Sequence, residues 1–260
     1  ALLRKKITPW LYRSSNGLLV SKERVRVATL LAAATLFFSV PVDRLPAEQR
    51  IEEFHGLSGW KELSFRNIDK PSSYESAEDG ELLRIRSEGG ASMLVLEEEI
   101  DVYDTPRMSW RWRVTEDVER QALRTKEGDD AAIRLYVAFR RPLSERSLGG
   151  RIWAGMQENL YGEVPPDSAL SFVWSSGESD GAAFLSSYTE QQFLVVPEPA
   201  GNQEFVEDTW LEHQVNLIDL YRKLFGEDPP AEAFVAVMGD SDNTDGSTEA
   251  WLDYLHITGE

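Results

Sequence analysis

The chain has 260 residues, 42% of them hydrophobic and 28% charged, with a formal net charge of −18. That length and apolar content suffice for one substantial core and exclude disorder for the bulk of the chain. So acidic a chain repels nucleic-acid phosphates, which excludes nucleic acid as its partner, and the absence of cysteine excludes disulfides, thiolate zinc sites and cysteine nucleophiles.

Charge is distributed unevenly. The first 26 residues hold seven Lys/Arg and one acid, leaving about −24 on the remainder. Residues 27–42, VATLLAAATLFFSVPV, carry no charge and follow Lys22, Arg24 and Arg26. A basic flank before an apolar run of this length is the pattern of a signal peptide. The run is short for a membrane-crossing helix, which needs roughly 20 residues. Ala47 offers a poor cleavage point, because Leu45 and Pro46 precede it. A cleaved signal, a retained membrane anchor at 27–42 and a buried helix are all open readings. The expected organisation is residues 1–50 as signal or anchor and 51–260 as one β-sandwich domain, periplasmic or otherwise exported.

From residue 51 the pattern changes to short runs in which apolar and polar residues alternate, the period of a half-buried strand. The runs are ELLRIRS (81–87), ASMLVLE (91–97), RMSWRWRV (107–114), AAIRLYVAF (131–139), ALSFVWSS (169–176), QQFLVVP (191–197), WLEHQVNL (210–217), AFVAVMGD (233–240) and EAWLDYLHI (249–257). Turn-forming residues separate them at 88–90, 128–130, 176–181 and 199–202. Gly128-Asp129-Asp130 reads as a hairpin turn. So many strands with little helix predict an all-β, two-layer antiparallel sandwich with one or two short helices. One helix is LIDLYRKLFG (217–226), ended by Gly226 and then Pro229-Pro230. A second is expected near 143–160, a stretch that reads equally as a long loop.

Strand alternation also locates chemistry. In RMSWRWRV, Trp110 and Trp112 point to one side and Arg111 and Arg113 to the other. In AAIRLYVAF, Ile133, Leu135, Val137 and Phe139 share one side, and Arg134 and Tyr136 the other. Were these strands to pair, their polar sides would merge into one basic-aromatic surface. Arg111, Arg113, Asp130, Arg134, Tyr136 and Trp174 are the expected ligand-binding residues. Guanidinium forks and aromatic rings grip sugar hydroxyls, carboxylates or phosphates. The plainer alternative is a solvated face of salt bridges, with Trp174 in the core.

Asp240, Asp242, Asn243 and Asp245 in GDSDNTDGS (239–247) form an oxygen-rich loop that suits calcium. Their spacing is not that of a helix-loop-helix calcium site, and a polar turn with Asx side chains bonded to their own backbone is the alternative. Catalytic motifs are thin. The histidines are His55, His213 and His256, and no HExxH, GxSxG or phosphate-binding glycine loop is present. His213 reads as a surface or packing residue.

WRWRV (110–114), GDDAAIRLYVAF (128–139), LSFVW (170–174), NLIDLYRKLFGEDPP (216–230) and AVMGDSDNT (236–244) occur in this order. Together they resemble an uncharacterised bacterial family, domain of unknown function 3047, over roughly residues 51–258. The resemblance implies an exported jelly-roll sandwich similar to carbohydrate-binding modules and galactose-binding-like domains, with no established activity and no catalytic residues to carry over. Three functions remain: a non-catalytic module for a glycan or other polar small ligand, a structural subunit docking on a protein partner, and a carboxylate-dependent glycoside hydrolase.

Overall fold

The alternating runs form strands, and their apolar sides face one another across two sheets. The computed structural model describes residues 50–65, 68–77, 80–119, 121–142, 166–176, 181–187, 192–199 and 209–259. The strands are β1 (Arg50–Glu52), β2 (Trp60–Ser64), β3 (Ser73–Ala77), β4 (Leu82–Glu88), β5 (Ala91–Leu96), β6 (Ile100–Asp101), β7 (Arg107–Glu116), β8 (Ala131–Arg140), β9 (Ser168–Ser175), β10 (Phe184–Leu185), β11 (Gln192–Pro199), β12 (Leu211–Asn216), β13 (Glu232–Asp240) and β14 (Ser247–Thr258). Among the described residues the first sheet runs β12-β7-β14-β4-β3, with β1 on β14. The second runs β10-β11-β9-β8-β13-β5-β2, with β6 on β13. The expected β-sandwich is therefore present. One pair departs from the antiparallel rule: β11 runs parallel to β9.

The core lies between the sheets. Met108, Trp110, Trp112 and Val114 enter it from β7, while Ile133, Leu135, Val137 and Phe139 enter from β8. Trp110 meets Phe172 of β9 at a ring separation of 4.9 Å, and Trp112 meets Trp174 edge-on at 6.2 Å. Each large apolar side chain buried this way contributes about 1.5–3 kcal/mol relative to exposure. At Gly239 the packing leaves no room for a side chain. A Cβ there would lie 2.6 Å from Cγ2 of Ile85.

The one α-helix among the described residues, α1 (Leu217–Phe225), carries the chain from β12 in the first sheet to β13 in the second. The Asn216 side chain accepts a hydrogen bond from the Asp219 N–H at 3.0 Å, and Gly226 closes the helix in the left-handed conformation. Leu217 and Tyr221 face inward, and the Tyr221 hydroxyl meets the Ser168 hydroxyl at 2.9 Å.

Residues 128–130 are not the expected hairpin turn. Lys126–Gly128 is a 3-10 turn, β7 and β8 belong to different sheets, and Asp129 and Asp130 are buried. The second expected helix near 143–160 and the apolar run at 27–42 lie outside the described residues.

Candidate functional site

The outer side of the first sheet carries a row of arginines and tryptophans. Register places Trp251 of β14 beside Arg113 of β7 on one flank and Arg84 of β4 on the other. Trp210 stands just ahead of β12, the strand paired with β7. The Arg111 and Arg113 guanidinium carbons lie 4.9 and 4.7 Å from the Trp210 ring centre. Those of Arg113 and Arg84 lie 5.2 and 5.4 Å from that of Trp251. The result is one line, Arg111–Trp210–Arg113–Trp251–Arg84, of half-buried side chains. Cation–π contacts at such sites contribute about 0.5–1 kcal/mol each.

Carboxylates hold the line in place. Arg111 donates to Asp253 at 2.8 Å. Glu249 accepts from Arg84 at 2.5 and 3.0 Å and from the Thr115 hydroxyl at 3.0 Å, and Arg86 lies 3.3 Å away. Thr115 in turn accepts from the Trp251 indole N–H at 3.2 Å. Burial works to raise the Glu249 carboxyl, but the hydrogen bonds from Arg84 and Thr115 and the arginine charges hold it below its ordinary value. An irregularity between Leu252 and Tyr254 brings both Asp253 and Tyr254 to this side. Tyr254 donates to Glu212 at 2.7 Å and stacks on His256. Burial, with the Glu212 hydrogen bond, pushes its hydroxyl up to about 12. Beyond Arg86 the surface dips into a depression lined by Asp69, Lys70, Pro71, Ser73 and Glu88.

Arg134 and Tyr136 do not join this row. β8 lies in the second sheet, so their side faces away from the first sheet altogether. The merged Arg/Tyr surface expected from the sequence is thus split between opposite sides of the sandwich. Nor is Arg134 open to solvent, its side chain being 3% exposed. The segment before β8 packs beside it: Gln121 donates to the Asp130 and Trp174 carbonyls, and Leu123 packs with Ala131, Val195 and Val173, the cross-strand neighbour of Arg134. Trp174, expected as a ligand contact, is a core residue on the inner side of β9.

Around Arg134 lies a nest of acids. Its Nη2 bonds the Asp129 carbonyl and lies 3.2 Å from Asp129 Oδ1 and 3.5 Å from Asp240 Oδ2. Burial raises the carboxyls of Asp129 and Asp240, and the Arg134 charge opposes it in both. Asp130, placed with the ligand surface by its sequence position, sits here instead, and accepts from the main-chain N–H groups of Asn243 and Thr244 and from the Thr244 hydroxyl. Asp240 and Asp242 converge on it, each offering an oxygen within 4.8 Å of the others. Of the loop residues expected as cation ligands, Asn243 reaches Asp130 through its main chain, and Asp245 lies against Gly89.

Arg111 and Arg113 were visible in the sequence, whereas Trp210, Trp251, Arg84, Glu249 and Asp253 were not singled out. The Glu-x-Trp-x-Asp alternation of 249–253 was the available signal. His213 proves to be an edge residue joining the sheets, its Nδ1 2.9 Å from Glu198 of β11 and its ring stacked on Trp110.

The family model described as a protein of unknown function (DUF3047) matches residues 58–256. The chain belongs to this family. No curated protein matches the DUF3047 chain. Among solved structures, its fold is similar to the family 11 carbohydrate-binding module of the cellulosomal cellulase Lic26A-Cel5E of Clostridium thermocellum, at 10% identity over 82% of this chain and 96% of that one, with a TM-score of 0.40. The xyloglucanase domain of NopAA, a type three effector from Sinorhizobium fredii, matches at 8% identity over 83% and 99%, with a TM-score of 0.41. A seed lectin of Lotus tetragonolobus matches at 9% identity over 82% and 98%, also at 0.41.

Proposed function

We propose that the DUF3047 domain is a non-catalytic binding module for a glycan, held on the outer side of the first sheet. The observation that carries this reading is the Arg111–Trp210–Arg113–Trp251–Arg84 line, part-exposed along the outer side of the sheet. Tryptophans left part-exposed on a sheet give up apolar burial and offer broad surfaces on which the C–H side of a sugar ring can rest. The flanking groups favour a neutral sugar over a free anion. Arg111 and Arg84 already have carboxylate partners, so the line presents donors and acceptors side by side, as hydroxyl groups require. An anionic ligand would have to displace Asp253 or Glu249. Export of this module, through the apolar run at 27–42, belongs to the same proposal, and amino-terminal sequencing of the native protein tests it.

The site is tested on a glycan array with the full chain, followed by calorimetry on the best ligand. Trp251→Ala is expected to cost about 2 kcal/mol of binding, roughly thirty-fold in affinity, while the Trp174→Phe change in the core leaves binding unaltered. Unchanged affinity in the Trp251 variant removes this face as the site.

A further inference from the structure

On the far side of the sandwich, the start of β8 and the end of β13 lie side by side, Asp240 pairing with Ala131. That register sets Asp240 next to Asp130. The β13–β14 loop then folds back, its Asn243 and Thr244 N–H groups bonded to Asp130, and Asp242 comes to the same place. Ser241, between the two loop acids, points elsewhere, accepting from the Gly89 N–H at 3.0 Å.

We propose that Asp130, Asp240 and Asp242 bind one hard divalent cation, calcium by the chemistry of the donors. All three offer carboxylate oxygens, and among the described residues no histidine joins them. Such a set suits calcium or magnesium, whereas zinc favours nitrogen and sulfur ligands. Oxygens bound to calcium at about 2.3–2.6 Å from the ion are at most about 5 Å from one another, and the three here lie within 4.8 Å.

The second observation is a missing partner. Asp240 Oδ1 is buried and has no hydrogen-bond partner, on a side chain only 7% exposed. Its other oxygen has Arg134, at a long 3.5 Å. Buried acceptors of this kind are rarely left unmet, and an ionised carboxylate accepts only, so what it lacks is a donor or a cation. Arg134 supplies one positive charge among the four acids Asp129, Asp130, Asp240 and Asp242. A divalent ion would offset most of what remains. Asp242 is the least buried of the three and gives the ion its way in, with water completing the coordination. Bound there, the ion would clip the β13–β14 loop to the start of β8.

The test uses the full chain, stripped with EDTA and titrated with calcium chloride by calorimetry, alongside thermal melts with and without calcium. One calcium per chain and a melting temperature raised by calcium are expected. Asp242→Asn is expected to weaken calcium binding at least ten-fold and, because it removes one like charge from the cluster, to leave the calcium-free melting temperature no lower than that of the unaltered chain. Asp245→Asn binds as the unaltered chain does. No heat and no shift in the unaltered chain overturns the proposal and leaves Asp240 neutralised by a proton. Full affinity in Asp242→Asn, or tighter binding of zinc than of calcium, overturns it as well.

Discussion

Glu249 is the residue on which the ionic contacts of the outer face converge, with Arg84, Arg86 and Thr115 all directed at it. Its folded-state carboxyl is held below the ordinary value of 4.5, so its contribution to stability is present above that pH and is lost as the pH falls through the lower folded value. Glu249→Gln is therefore expected to be less stable than the unaltered chain at pH 7, by up to about 1 kcal/mol given solvent screening. The gap closes toward pH 3. Urea denaturation at the two pH values checks this, and an equal gap at both assigns the contribution to hydrogen bonding rather than charge. At this scale, strand alternation in the sequence correctly separated Trp110 and Trp112 from Arg111 and Arg113, because side-chain direction depends only on the local backbone. It also put Arg134 on the outer side. What alternation cannot carry is cover: Arg134 points outward yet is buried, with Asp240, brought from the end of β13, beside its guanidinium. Trp210, Trp251 and Asp253 lie in runs whose alternation is plain, WLEHQVNL and EAWLDYLHI, but nothing local shows that β12 and β14 flank β7 and so bring these side chains to Arg111 and Arg113, while Tyr254 is hidden because the irregularity after Leu252 resets the period.

Two elements carry their own tests. The Asn216 cap satisfies an N–H that would otherwise be open at the start of α1. Asn216→Ala is expected to lower stability by about 1 kcal/mol, read as a melting temperature lower by roughly 2–4 °C for a domain of this size. In β13, Gly239 faces Ile85 where the two sheets approach. Gly239→Ala must push the sheets apart or force Ile85 off its rotamer, at about 1–3 kcal/mol. Denaturation that shows Gly239→Ala at least as stable as the unaltered chain would mean the sheets can separate freely there. α1 was readable because the residues that end it, Gly226 and Pro229-Pro230, act locally, whereas its Asn216 cap was not read. The longer strands were readable for the same reason. β1, β6 and β10 are two or three residues long, too short for a period to show, and exist because a neighbouring strand offers them an edge. Which strands share a sheet was not readable either. Consecutive strands pair in about two cases of three, yet β7 and β8 fall in opposite sheets, and that single fact separates Arg111 from Arg134.

For the whole molecule the governing quantity is charge: 45 Asp and Glu against 27 Lys and Arg. Two effects of salt oppose each other. Screening weakens the attractive pairs that brace the outer face, such as Arg111–Asp253 and Arg84–Glu249. It also weakens the repulsion among the unmatched acids, which acts over the whole surface and favours the expanded, unfolded chain. Part-exposed pairs contribute about 0–1 kcal/mol each and are in van der Waals reach, where screening acts least. The repulsion is spread over distances comparable to the Debye length, about 30 Å at 0.01 M and about 3 Å at 1 M. Over that range of salt the repulsive part loses more than the attractive part does. The melting temperature is therefore expected to rise steadily from 0.01 to 1 M sodium chloride. The measurement is made in EDTA, so that no divalent ion contributes through the Asp130, Asp240 and Asp242 cluster. A melting temperature that falls with salt would mean that the ion pairs outweigh the net charge, and that the acidic surface is matched far more closely by its arginines than the count of residues indicates.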